Sequence, residues 1–212
     1  MIAPDLPGLG LSALPPRPDD PLSFARALAD GLAILLGPRP RFALVGFSFG
    51  SIVAGQIATA TEAQVERLVL VGPGALGVSR LPRAMVKVRH LEGEARLRAH
   101  RDNLRALMFA DAQQIDAAAL AIQDWNSRHA RLDSRPIARG VSLREALGRW
   151  NRPFAAIIGE RDATAQPPLV VPVLRAVRPD AVIRILPGLG HWCMAEGADA
   201  FEPTLRDVLG RL

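Results

Sequence analysis

The chain of 212 residues contains no tyrosine, a single lysine (Lys87), a single cysteine (Cys193) and only 5% aromatic residues. Each scarcity excludes something. A lone cysteine closes no internal disulfide, which suits a reducing compartment, and it reads as a buried, inert thiol. With no tyrosine and one lysine, almost nothing titrates between histidine and arginine, so the isoelectric point near 11.0 records a gap in the titration curve and not a heavily basic surface. The formal net charge is only +5. No run approaches the roughly 18 uninterrupted apolar residues of a membrane span, and the start "MIAPDLPGLG" lacks the basic flank and apolar centre of a signal peptide. A cytoplasmic protein without a membrane span is therefore expected. No His, Cys or acidic cluster has metal-ligand spacing, and "GLGLS" is not followed by the Gly-Lys-Ser or Gly-Lys-Thr of a phosphate loop. No metal and no cofactor is implied.

What charge there is has a location. Residues 80 to 105 hold eight basic side chains against Glu92, Glu94 and Asp102, which accounts for the whole net charge. The plain reading is the solvated face of a helical region; the alternative is a positive field for anionic substrates or an acidic surface. Aromatic residues are absent from this segment, so the stacking platforms of a nucleic-acid binder are missing and no nucleic-acid partner is expected.

Short apolar runs alternate with longer helical patterns, which predicts a mostly parallel sheet flanked by helices. Strands are expected at 41–47, 65–74, 153–162 and 181–188, each ending at a glycine-containing turn. Helices are expected over 22–37, 51–64, 167–179 and 198–212. Residues 76–150 break the rhythm, with helical patterns over 85–109 and 112–132 and no convincing strand. The domain reading is an α/β core formed by 1–75 and 151–212, with 76–150 inserted as a helical lid.

Within the first strand and helix, "LVGFSFGSIVAG" (44–55) contains Gly-Phe-Ser-Phe-Gly. A G-x-S-x-G string is weak alone, but this one follows an apolar run and precedes a helix, the context of a nucleophile held on a tight turn. Small residues at 46 and 50 are expected because a β-carbon two positions either side of Ser48 would meet neighbouring backbone. A serine needs a base. Of His90, His100, His129 and His191, the first three fall in the helical insert and read as surface residues. His191 follows the last strand, at the sheet edge where the serine turn also lies. The acid that would orient it is Asp162, after the preceding strand, with Glu160 and Asp180 as weaker options. Phe47 and Trp192 are candidate pocket walls, although core packing explains each equally well. Arg131, Arg135 and Arg139 could bind a carboxylate, with ordinary surface arginines the plainer reading.

Taken together, "APDLPGLGLSALP" (3–15), "LVGFSFGS" (44–51), "RLVLVGPGA" (67–75), "IIGERDAT" (157–164) and "PGLGHWCMAEGADAF" (187–201) resemble the α/β-hydrolase superfamily in its own order. The resemblance implies the α/β-hydrolase fold and a Ser48–His191–Asp162 triad with the Phe49 N–H in the oxyanion hole. It implies a cofactor-independent serine hydrolase that cleaves an ester or related acyl bond of a small molecule through an acyl-enzyme. The alternatives are a catalytically silent binding module and a carbon–carbon bond hydrolase on the same scaffold. Two departures stand out: the elbow ends Gly50-Ser51 where relatives usually have two glycines, and the family's first strands, with the histidine-glycine loop that supplies a second oxyanion donor, have no counterpart here. The strand before Ser48 would then have an unpaired apolar edge, a route to self-association. Residues 1–5, another chain, or a longer version of the sequence would be what fills it.

Overall fold

The computed structural model describes residues 1–37, 40–61, 64–79 and 83–212. Arg80 and the end of the helix expected over 51–64 (Glu62, Ala63) lie outside the described residues.

Four strands, β1 (Phe42–Phe47), β2 (Val65–Val71), β3 (Phe154–Gly159) and β4 (Val182–Leu186), form one sheet in the order β1-β2-β3-β4, and every pairing is parallel. The registers Phe47↔Val71, Val71↔Ile157 and Gly159↔Leu186 bring the carboxyl ends to one edge. Successive side chains of a strand point to opposite faces, and the two central strands use both. Leu68, Leu70, Phe154, Ala156 and Ile158 enter one core with residues of the helices α1 (Pro21–Leu36), α2 (Phe49–Ala60) and α7 (Pro167–Val177). Val69, Val71, Ala155 and Ile157 enter a second core with Cys193 of the short α8 (Cys193–Glu196) and with Phe201 and Val208 of α9 (Ala198–Arg211). The sheet is sandwiched between helices, which is why its central strands read as continuous apolar runs.

Helix boundaries follow local chemistry. Asp20 caps α1 by accepting the Leu22 N–H at 2.9 Å, Pro21 occupies the first turn, and Gly37 closes the helix. Pro167 and Pro168 begin α7. Among the described residues β1 has a sheet partner on one side only, residues 1–6 form no strand, and Val45 is 43% exposed.

Between β2 and β3 the chain forms α3 (Gly93–Leu107), a 3-10 turn (112–114), α4 (Ala117–His129), a short α5 (Arg135–Arg139) and α6 (Ser142–Arg149). The helix expected over 85–109 begins only at Gly93. Upstream, Val86 gives its N–H to the Asn103 side chain at 2.8 Å and its carbonyl accepts from that carboxamide at 2.9 Å, while Arg96 donates to the Val88 carbonyl at 2.6 Å. Those backbone groups are satisfied by side chains of α3, so the segment lies against the helix instead of joining it. The pattern over 112–132 divides for a similar reason: Asp116 caps α4 through the Ala119 N–H at 2.7 Å. Leu104, Phe109, Ile115 and Ala119 make a small core within the insert, whereas Leu143, Leu147 and Trp150 at its end are buried in the main core against α2.

Candidate active site

Three strand ends converge at the carboxyl edge of the sheet. After β1 the chain turns directly into α2, and Ser48 at the turn adopts φ 51°, ψ −114°. A non-glycine residue with positive φ is strained. The surroundings hold it there: its N–H donates to the Val71 carbonyl at 2.8 Å, and its own carbonyl accepts from the Ser51 N–H at 3.0 Å and the Ser51 hydroxyl at 2.5 Å. Gly46 is indispensable to this turn. A β-carbon there would run into the Gly50 carbonyl oxygen and lie 2.7 Å from both Ala54 Cβ and Ser51 Cα. Gly50 departs from expectation, since a β-carbon at that position meets nothing within 4 Å. The tightness of this elbow falls on one side of the serine, where α2 packs back over β1.

His191 follows β4 in the "GLGH" turn and is 1% exposed. Its Nε2 lies 2.8 Å from Ser48 Oγ, and its Nδ1 lies 2.7 Å from Asp162 Oδ2. The carboxylate can only accept from Nδ1, so Nδ1 carries the proton and Nε2 is left with a lone pair facing the serine hydroxyl. Asp162, 2% exposed, follows β3. Its second oxygen, Oδ1, accepts the Thr164 and Ala165 N–H groups, each at 2.7 Å. Burial raises its pKa, but the hydrogen bond and charge of His191 and these two N–H groups outweigh burial and hold the carboxyl below its ordinary value. It therefore stays ionised beside the imidazole.

Glu160 and Asp180 are elsewhere. Glu160 is exposed and accepts the Gly188 N–H at 2.8 Å; Asp180, also exposed, lies 3.9 Å from Arg178. The Phe49 N–H is the first of α2, and such first-turn groups have no acceptor within their helix. Phe47 is half-buried, its ring 4.9 Å from the His191 ring. Trp192 leans instead on Phe109 at 5.7 Å, in contact with the insert's small core. Arg131 donates to the carbonyls of Gly10 and Ser12, and Arg135 pairs with Asp133 at 2.7 Å, so both guanidinium groups are engaged. A cleft of about 540 Å³ between the 14–21 loop and residues 131–142 includes none of the three converging side chains.

Two further residues shape the site in ways the sequence does not single out. Gly72, at the end of β2, has φ +52°, and a β-carbon on it would sit 2.8 Å from His191 Cε1 and Nδ1 and 3.1 Å from Asp162 Oδ2. The imidazole–carboxylate pair rests directly on that bare backbone. Thr164 brings its hydroxyl within 2.8 Å of His191 Nδ1 and 3.1 Å of Asp162 Oδ1. Cys193 is buried as expected, and burial first, with the Asp162 charge second, pushes its thiol up to about 12. His100 corrects an expectation. It is fully buried where a surface residue was expected, because its face of α3 is closed by α4: Asp124 lies 3.1 Å from Nε2. Arg96 is buried on the same face, paired with Asp124 and donating to Ser127 at 2.8 Å. Other cations of the segment, including Arg83, Lys87, Arg89 and Arg105, do form a solvated surface.

A parallel sheet flanked by helices, with a serine on a strained strand-to-helix turn and a histidine and carboxylate from later strand ends, defines the α/β-hydrolase fold. The alpha/beta hydrolase family profile matches residues 1–204, and the chain belongs to that family. Solved structures similar to it include a bromoperoxidase from Bacillus anthracis (20% identity, TM-score 0.75, covering 97% of this chain and 80% of that one). An esterase from Rhodococcus sp. ECU1013 is similar at 22% identity and TM-score 0.75, over 98% of this chain and 79% of that one. So is the 2-hydroxy-6-oxo-6-phenylhexa-2,4-dienoate hydrolase from Rhodococcus sp. strain RHA1, at 22% identity and TM-score 0.69, over 98% and 78%. No helix among the described residues is long and apolar enough to cross a membrane.

Proposed function

We propose that this chain is a serine hydrolase that cleaves an ester or related acyl bond of a small molecule. One observation carries the reading: an unbroken run from Ser48 Oγ through both ring nitrogens of His191 to Asp162, with contacts of 2.8 and 2.7 Å. Ser48 Oγ attacks the acyl carbon as its proton passes to His191 Nε2, and the resulting imidazolium is stabilised by Asp162 across Nδ1–H. The carbonyl oxygen, now an anion, turns to the Phe49 N–H at the positive end of α2. Collapse expels the alcohol, which takes the proton from Nε2. Water then gives a proton to Nε2 and attacks the acyl-serine, and the acid leaves as Ser48 recovers its hydrogen.

In this reading residues 1–75 and 151–212 are the catalytic core and 76–150 the lid over it. Phe47 beside the imidazole and Trp192 against Phe109 would wall the pocket between them. The test combines turnover of short-chain p-nitrophenyl esters with covalent labelling by a fluorophosphonate. The parent should hydrolyse the esters and take the label at Ser48, and S48A should do neither. An S48A variant as active as the parent sinks the assignment.

A further inference from the structure

The Thr164 hydroxyl touches both members of the Asp162–His191 pair, and the reaction above gives it no task. Its hydroxyl oxygen stands 2.8 Å from His191 Nδ1, 3.2 Å from Nε2 and 3.1 Å from Asp162 Oδ1. Both ring nitrogens already have partners in Asp162 and Ser48. An atom near both nitrogens lies alongside the N–C–N unit of the ring. A hydroxyl has one proton to give, and of these neighbours the carboxylate is the pure acceptor. Donated to Asp162 Oδ1, that proton leaves the oxygen lone pairs turned toward the imidazole.

We infer that Thr164 is a positioning residue, holding His191 in the ring orientation that Ser48 requires and facing the imidazolium with oxygen as it forms. The inference rests on the serine-hydrolase reading. Gly72 closes the pair off from another direction, its α-carbon packed where a side chain would meet Cε1 and Nδ1. If the ring turned over, a carbon would replace Nδ1 beside Asp162 and a C–H would meet Ser48. The Thr164 oxygen, lying over the face of the N–C–N unit, favours the orientation that keeps both nitrogens beneath it. No bond beyond those of acyl transfer is made or broken, and the Ser48 proton still goes to Nε2.

This role is separable from the backbone. The Thr164 and Ala165 N–H bonds to Asp162 survive any side-chain change, so T164V removes only the hydroxyl at nearly constant shape and T164S keeps it. With p-nitrophenyl acetate, T164V should lower kcat about tenfold with KM within about twofold, the size expected for one hydrogen bond to a charged pair. T164S should restore kcat to within about threefold of the parent. T164A provides a second hydroxyl deletion should the valine variant fold poorly. Nitrogen-15 histidine NMR gives a readout that does not depend on turnover: the parent should show His191 as the Nδ1–H tautomer with one set of ring-nitrogen shifts, and T164V displaced or doubled shifts from a ring no longer held in one orientation. A T164V kcat within twofold of the parent, or a serine variant as impaired as the valine one, overturns the proposal. A parent that neither turns over esters nor takes the fluorophosphonate removes the serine-hydrolase reading instead. In that case the NMR measurement decides the role of Thr164 alone, and an unchanged T164V spectrum refutes it.

Discussion

Among the described residues serine, histidine and aspartate meet twice, and the two meetings are wired oppositely. At the sheet edge, His191 offers Nδ1 to Asp162 and Nε2 to Ser48, so a proton arriving at one nitrogen is answered by a carboxylate at the other. Between α3 and α4, Asp124 lies 3.1 Å and Ser127 3.5 Å from the same nitrogen of His100, Nε2, while Nδ1 is buried with no hydrogen-bond partner among the described residues. Nε2 there carries the proton toward Asp124, so His100 holds the opposite tautomer and has no lone pair for the serine. Ser127 donates to the Asp124 backbone carbonyl at 2.9 Å, and Asp124 is engaged by both Arg96 and Arg128. The first constellation leaves a path for a proton from serine to imidazole, as the proposed reaction needs; the second joins two helices. Residue types alone do not separate them; which nitrogen faces which group does.

The sharpest break in that comparison is a pair of serine deletions. S48A should lower kcat/KM for a p-nitrophenyl ester by about a hundred-thousandfold, whereas S127A should stay within about twofold. Comparable losses in both would mean that the helical cluster also serves the reaction. Next in size is D162N, expected to lower kcat about ten-thousandfold in steady-state assays with the fold intact. An amide would donate to Nδ1 and force the proton onto Nε2, giving His191 the tautomer that His100 already has. D124A, by contrast, should leave kcat within a few-fold. It should cost about 2 to 3 kcal/mol in urea unfolding, because it strands a guanidinium that is 7% exposed.

The smallest effect is in the pH dependence of that stability. Arg128 foremost, with Arg96 and His100, holds the Asp124 carboxyl far below its ordinary range against the opposing effect of burial. A carboxylate depressed in the folded state contributes stability fully present above its unfolded value of about 4 and lost as pH falls toward the folded one. The parent should therefore lose more stability than D124A between about pH 5 and 2, by denaturant titration at each pH. Equal losses would show that Asp124 contributes nothing through its charge.

How far these arrangements were legible differs between them. The four strands were readable because each is a short apolar run ending in glycine, and the observed strands lie inside the expected spans. That Ser48, Asp162 and His191 meet was readable because parallel strands deliver their following turns to one edge. Thr164 gave no sign, since its hydroxyl matters only through the conformation of the turn after β3, which brings a residue two positions from Asp162 back against the imidazole. From the sequence Gly72 reads only as a turn residue, because its contact is across the sheet edge and not along the chain. The helical cluster escaped for a different reason. Arg96, His100 and Asn103 share one face of α3, yet a polar face reads as solvated unless a partner's own polar residues, here Asp124 and Ser127, are known to close it. Residues 86–88 carry a helical pattern yet join no helix, because their hydrogen-bond partners are side chains of a later helix, outside any local window.

The Glu196 carboxylate adds a mechanical meaning to the site. It accepts the Gly190 N–H at 2.6 Å on one oxygen and the Asp111 N–H at 2.7 Å on the other, while the Trp192 N–H reaches the Met108 carbonyl at 2.8 Å. Residues flanking His191 on both sides are thereby riveted to the end of the insert's first helix. The imidazole is not carried by the sheet alone. A movement that shifts residues 108–111 drags the His191 loop with it, and the span from Nε2 to Ser48 becomes a gauge of where the insert stands.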